Sequence, residues 1–368
     1  MISPRYNYPA QFGTDVDRLV EDIRSMLLAG RYILTAEVRS FEQAFASYIG
    51  TAAARGVNSG TDALLLSLLA LGVGPGDEVI TQANAFHASV AAIHLAGATP
   101  VLVDACENSF LMDTVSAANA ITPRTRVVIP VHLYGKPTPM LDLLATCSGA
   151  GVHLIEDAAQ AHGASIHGRR IGSFGVASCF SFHPSKNLAA AGDAGAIVSD
   201  DSAFIEKIDQ LRALGQRAQN DHVVVGYNSK LDAIQARVLA CKLPHLDEWN
   251  CSRAEIAEQY RLRLEGLPVT FQSIDPGETH VFHLFQLRCQ RRDELLCYLV
   301  DQGVDAVTRY PVPIHLQPAF ARYQWQRGQF PVAEKLAEQL LCLPLRPDMT
   351  VTEIAFVTDT VRKFFDGC

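Results

Sequence analysis

Much is missing from this chain of 368 residues, and each absence removes a class of function. No CxxC pair occurs, and the nine cysteines, at 106, 147, 179, 241, 251, 289, 297, 342 and 368, are scattered and odd in number. That pattern argues against a disulfide framework or a zinc site, predicts no metal centre, and fits reduced thiols in the cytoplasm. The opening stretch MISPRYNYPAQFG lacks a charged-then-apolar leader, and no uninterrupted apolar run is long enough to span a bilayer, so no membrane role is expected. Lys and Arg number 31 against 39 Asp and Glu, a net charge of −8, which leaves no basic stripe to neutralise nucleic-acid phosphates. No internal repeat or low-complexity linker interrupts the chain. With 48% hydrophobic and 19% charged residues, what remains is an ordinary soluble globular enzyme with a substantial core.

From Arg55 onward, short apolar runs alternate with helical stretches. GVN, DEVITQ, TPVLVD, RVVIPVH, GVHLIED, VASCFSF and AGAIVS read as strands, and LLLSLLA, SVAAIHLAG, TVSAANAI and MLDLLATCSGA lie among helices. Such alternation predicts an α/β fold: a mostly parallel, seven-stranded sheet covered by helices on both faces. Two amphipathic helices, 15–29 and 38–49, precede it. Residue 247 is taken as the end of this large domain, and 248–368 as a smaller α+β domain whose helices fall at 333–341 and 351–365.

Chemistry concentrates between Gly151 and Asp200. One apolar strand ends in Asp157, followed by Gln160; the next delivers Ser181 and, just beyond, Lys186. A carboxylate, a lysine and a hydroxyl at the exits of adjacent buried strands are what a pyridoxal phosphate site requires. The lysine must attack an aldehyde as a free amine. The carboxylate must hold the pyridine nitrogen protonated so that the ring accepts electrons. Strand ends are also where open α/β sheets place ligands. Taken singly, Asp157 can equally cap a following helix and Lys186 can be a solvated loop lysine. Ser59-Gly60-Thr61-Asp62 opens a leucine-rich helix, which suits either an anion cradle or a simple N-cap.

EDAAQAHGA (156–164) followed by FSFHPSKNLAAAGDAGAI (180–197) resembles the DegT/DnrJ/EryC1/StrS family of sugar aminotransferases, pyridoxal phosphate enzymes of fold type I. NSGTDAL, GVGPGDEV, VHLYGKP, GYNSKLDAIQA, KLPHLDEWN and YPVPIHLQPAF extend the likeness, in the family's order, over almost the whole chain. The resemblance implies that Lys186 carries pyridoxal 5′-phosphate covalently, cycling through pyridoxamine phosphate, and that Asp157 faces the ring nitrogen. It implies Gly60, Thr61 and Ser181 at the phosphate, Phe86 flat against the ring, and Gln160, one helical turn past Asp157, at the phenolic oxygen. Asn228 would reach the phosphate from the partner subunit of a homodimer. Lys230, standing where relatives commonly have Arg, Tyr310 and His315 are candidate substrate contacts.

Each position has a plainer reading: Phe86 as a core residue opening a helix, Gln160 as a solvated helix residue, Asn228 as a turn residue, His315 as a structural histidine. Ala85 and Phe86 also depart from the family's usual Thr and Tyr or Trp. The reaction implied is amino transfer from glutamate to a nucleotide-linked keto-6-deoxysugar, with SFLMD and GYNSKLD most like relatives that aminate C3. A keto-cyclitol aminotransferase, a sugar dehydratase of the same fold and a non-catalytic regulator are the alternatives; the family's 3-dehydratases have histidine in place of the lysine.

Overall fold

A computed structural model describes residues 2–367, so Cys368 lies outside the described residues. Seven strands form the central sheet: β1 (Ala53–Val57), β2 (Glu78–Gln82), β3 (Thr99–Val103), β4 (Thr125–Ile129), β5 (His153–Asp157), β6 (Ala177–Ser181) and β7 (Gly195–Ser199). Their order is β1-β7-β6-β5-β4-β2-β3. β7 runs antiparallel to both neighbours, while β6, β5, β4, β2 and β3 are mutually parallel.

Strand alternation divides the core between the sheet's two faces. Ile80, Val128, Leu154, Phe180 and Val198 point to one side, where helices Ala36–Ile49, Met140–Ala150 and Ala233–Lys242 cover them. Val79, Val127, Ile155, Cys179 and Ile197 point to the other, under Gly60–Ala70, Ala88–Leu95 and Ser202–Arg212. On the first face Phe45 is fully buried, with its ring 5.0 Å from Phe180 and 5.2 Å from Phe182, both edge-on. Phe45→Ala is expected to cost about 3–5 kcal/mol, because the cavity left behind cannot collapse against a sheet. Urea unfolding of the two proteins measures this directly.

The C-terminal residues build a second core around an antiparallel sheet of Thr270–Phe271, Phe285–Arg288 and Leu340–Leu343. Helices Leu246–Arg263, Arg292–Asp301 and Val351–Asp366 pack on it, the last opened by a Thr350–Glu353 capping box. The expected helix 333–341 ends at Gln339, where the chain straightens into the strand Leu340–Leu343. Ile314, Phe320, Ala333 and Leu336 pack instead against Ala83, Phe110 and Leu133 of the large sheet region, so this stretch joins the two cores.

Topology brings one set of chain segments together. The carboxyl ends of β1, β2, β4, β5 and β6 and the amino end of antiparallel β7 share an edge, where Gly195 pairs with both Val57 and Ser181. Among the described residues, no helix is long and apolar enough to cross a membrane. None of the described cysteines is in a disulfide.

Candidate active site

At that edge lies a cavity of about 470 Å³. Gly60, Thr61, Phe86, Asp157, Gln160, Ser181, Lys186 and Tyr310 all line it, so eight expected site residues from five separate stretches of sequence meet there.

Asp157 is the last residue of β5, and its backbone is clamped between Pro130 and His132 by bonds of 3.0 and 3.1 Å. Its buried carboxylate accepts from Ser89 Oγ at 2.8 Å and from the Ala159 amide at 3.2 Å. Burial raises its pKa, while the two bonds and the nearby Lys186 charge pull the other way. Such a carboxylate is short of a cation. No helix follows it, contrary to expectation: residues 158–164 form successive tight turns, with Ala161 and Ala164 amides bonding three residues back. The helix-cap reading of Asp157 therefore falls, and Gln160 is placed by a turn and not by a helical period.

Gln160 is 3% exposed. Its Oε1 accepts from the Tyr134 amide at 2.7 Å and its Nε2 donates to Tyr310 Oη at 3.1 Å, which fixes the amide's orientation. Phe86 is 42% exposed, which removes the core reading; its ring stands 5.2 Å from that of Tyr310 and helix Ala88–Leu95 begins two residues later.

Ser59 caps helix Gly60–Ala70 by accepting from the Asp62 amide at 3.1 Å. The N-cap reading is thus correct for Ser59, and it leaves the first amides of the helix without intrahelical acceptors, facing the cavity. Here glycine is required: a Cβ on Gly60 would sit 2.8 Å from Ser181 Cβ, and one on Gly195 would sit 2.4 Å from the Ser59 carbonyl carbon. The absent side chains let a helix N-terminus and the β6 hydroxyl converge on one anion-sized space.

Lys186 follows β6 in a turn, its amide bonded to the His183 carbonyl at 2.8 Å. Burial pushes its pKa down to about 8; Asp157 opposes this and Arg309 adds to it. At neutral pH a far larger fraction is free amine than for a solvated lysine. Capture of pyridoxal phosphate by the apoprotein is expected to accelerate about tenfold per pH unit up to about 8 and then level off. Stopped-flow absorbance reads this; a rise continuing past pH 10 would contradict it.

Three expected residues lie outside the cavity. His315 is buried, its Nε2 2.9 Å from Glu334 Oε1 and its ring 4.8 Å from Phe330, which places it in the packing between the two cores. Asn228 and Lys230 bond to each other, and the Asn228 carbonyl accepts from Asn58 Nδ2 at 2.9 Å. Conversely, Tyr6, Tyr8, Asp193, His283 and Arg309 line the cavity without having been expected there. Tyr6 and Arg309 are some three hundred positions apart, and no local pattern marks them. Of the two histidines nearest the site residues in sequence, His183 lines the cavity, and His162 is buried against Phe180 and Phe182, its pKa pushed to about 3 chiefly by burial. Among the described residues no group of three or more His, Cys, Asp or Glu could hold a metal.

The family model for the DegT/DnrJ/EryC1/StrS aminotransferases matches residues 14–362. The chain belongs to this family. It is 46% identical over 347 residues to the dTDP-3-amino-3,4,6-trideoxy-alpha-D-glucose transaminase of Streptomyces venezuelae, covering 93% of this chain and 90% of that one. Its fold superposes with a TM-score of 0.96 on S. venezuelae DesV in complex with a ketimine intermediate, at 43% identity over 99% of this chain and 98% of that one. With Bacillus subtilis NtdA bound to pyridoxamine phosphate the TM-score is 0.93 at 29% identity, covering 99% and 85%. The chain is therefore a pyridoxal-phosphate-type aminotransferase of α/β architecture. Its cavity fits that cofactor: a depressed lysine, a cation-starved carboxylate, an exposed aromatic face and a side-chain-free helix terminus beside a hydroxyl.

Proposed function

We propose that this aminotransferase carries pyridoxal phosphate covalently on Lys186 and moves an amino group from glutamate to C3 of a nucleotide-linked keto-6-deoxysugar. The observation that carries the reading is that Asp157 and Lys186 face one cavity and shift each other's charge. Bound pyridoxal phosphate supplies an electron sink for the carbon whose C–H bond breaks. Asp157, held by Ser89 and the Ala159 amide, keeps a positive charge at the ring nitrogen. Lys186 Nζ would hold the cofactor and, once freed by the donor amine, would take the proton from the donor's α-carbon and deliver it to the cofactor carbon it had itself occupied, the reverse transfer serving the acceptor. Gly60, Thr61 and Ser181 hold the phosphate, Phe86 covers the ring face, and Gln160 orients toward the phenolic oxygen.

Asn228 is assigned to the phosphate of a second copy in a homodimer, with Lys230 beside it. Exposed apolar side chains next to Asn228 support this: Val225 is 94% exposed and Tyr227 40%. The free thiols support a reducing, cytoplasmic setting. Lys186 favours amino transfer over the dehydratase alternative. The deciding experiment incubates the loaded enzyme with glutamate and a panel of keto-sugars and keto-cyclitols. Release of 2-oxoglutarate with a nucleotide-linked 3-keto-6-deoxysugar is expected; turnover only with free cyclitols would replace the acceptor assigned here.

A further inference from the structure

One charge in the cavity has no task in the reaction just described. Arg309 lines the cavity, and its positive charge acts on Lys186, Tyr310 and His283. Its backbone is anchored, the carbonyl accepting from Tyr134 Oη at 2.8 Å. Its guanidinium, in contrast, has no carboxylate partner among the described residues. The other charged groups of the cavity do not neutralise it: Asp157 is committed to Ser89 and the ring nitrogen, and buried His283 is held neutral because its pKa lies well below the usual histidine value. Asp193 makes no ion pair. An unpaired guanidinium beside the reacting lysine is a standing receptor for a planar anion.

The two substrates differ in where they carry negative charge. An amino acid bears a carboxylate on the very carbon that reacts, one bond from the C–H that Lys186 breaks. A nucleotide-linked sugar bears its diphosphate across the ring from a C3 ketone. A cation close enough to Lys186 to depress it is matched by the first and not by the second. We infer that Arg309 determines donor specificity, its guanidinium receiving the α-carboxylate of the incoming amino acid. Pairing would also cancel the positive charge beside Lys186 as the donor binds, which favours the lysine's taking up the α-proton.

This rests on the aminotransferase reading above, and the test separates the two. Loaded wild-type enzyme, Arg309→Met and Arg309→Lys are titrated with 2-methylglutamate, which has an α-carboxylate but no α-hydrogen, and binding is followed in the cofactor's visible spectrum. Losing the partner of a buried carboxylate should weaken binding by at least roughly 30-fold in Arg309→Met. Arg309→Lys, which keeps the charge without the fork, should recover part of it. In the same variants the KM of the amine-loaded form for the keto-sugar should change at least about tenfold less, and the spectrally titrated pKa of the Lys186–cofactor linkage should rise only in Arg309→Met. Equal losses for donor and acceptor, or a loss confined to the acceptor, would overturn the assignment. A wild-type enzyme that binds cofactor yet answers to no amino acid would overturn the aminotransferase reading, and this inference with it.

Discussion

Replacing Lys186 by alanine is expected to lower turnover by at least about 10³-fold, since one amine both holds the cofactor and moves the proton in each half-reaction. The surrounding chain should survive the change: the lysine is partly exposed, and burial of its charge costs the fold stability at neutral pH because its pKa is depressed. Two readouts belong together. Wild type reduced with borohydride while folded, then denatured and digested, should retain cofactor on the peptide containing residue 186, and the variant should not. Turnover within a few-fold of wild type would remove Lys186 from the chemistry altogether.

Asp157→Asn should have the second-largest effect. The substitution preserves size and leaves an acceptor for Ser89 Oγ, yet removes the negative charge that a protonated ring nitrogen needs. Deleting one partner of a buried, hydrogen-bonded charge pair costs about 2–5 kcal/mol, or roughly 30- to 3,000-fold in binding. Cofactor affinity and turnover should fall together, and the bound cofactor's absorbance should lose the contribution of its ring-protonated form. Asp157→Glu tests the geometry separately, because the longer side chain cannot keep the Ala159 amide bond. Should Asp157→Asn bind cofactor as tightly as wild type, the carboxylate would be a structural group serving Ser89 and the turn after β5.

Six of the seven strands were legible because a sheet buried on both faces demands short apolar runs, and they lie on such runs; β1, Ala53–Val57, begins three residues ahead of the expected GVN because it is an edge strand that carries Arg55. Periodicity failed where local and tertiary demands differ. Residues 158–164 read as the start of a helix, yet Gln160 is bound to Tyr134 and Tyr310 and the chain must turn toward the ribbon at Ser165–Ile166. Leu340–Leu343 continues a helical pattern but pairs with Phe285–Arg288, a demand set by a strand some fifty residues earlier. Lys186, Asp157 and the Ser59–Thr61 turn were legible as chemistry because each sits at a strand exit beside small residues. Ser89, Tyr6, Tyr8 and Arg309 were not, because only the folded edge of the sheet brings them there.

Gln160 spends both ends of its amide, one on the backbone after β4 and one on Tyr310. Tyr310 belongs to the stretch that welds the two cores, so the floor of the cavity and its roof are tethered through a single side chain. Diversification toward new acceptors is thereby channelled: substitutions that shift either tether point disturb the ring's seat, whereas Tyr6, Tyr8 and His183 line the cavity with no hydrogen bond to either point. A library aimed at altered acceptor preference should randomise those three positions and leave Tyr134, Gln160 and Tyr310 untouched.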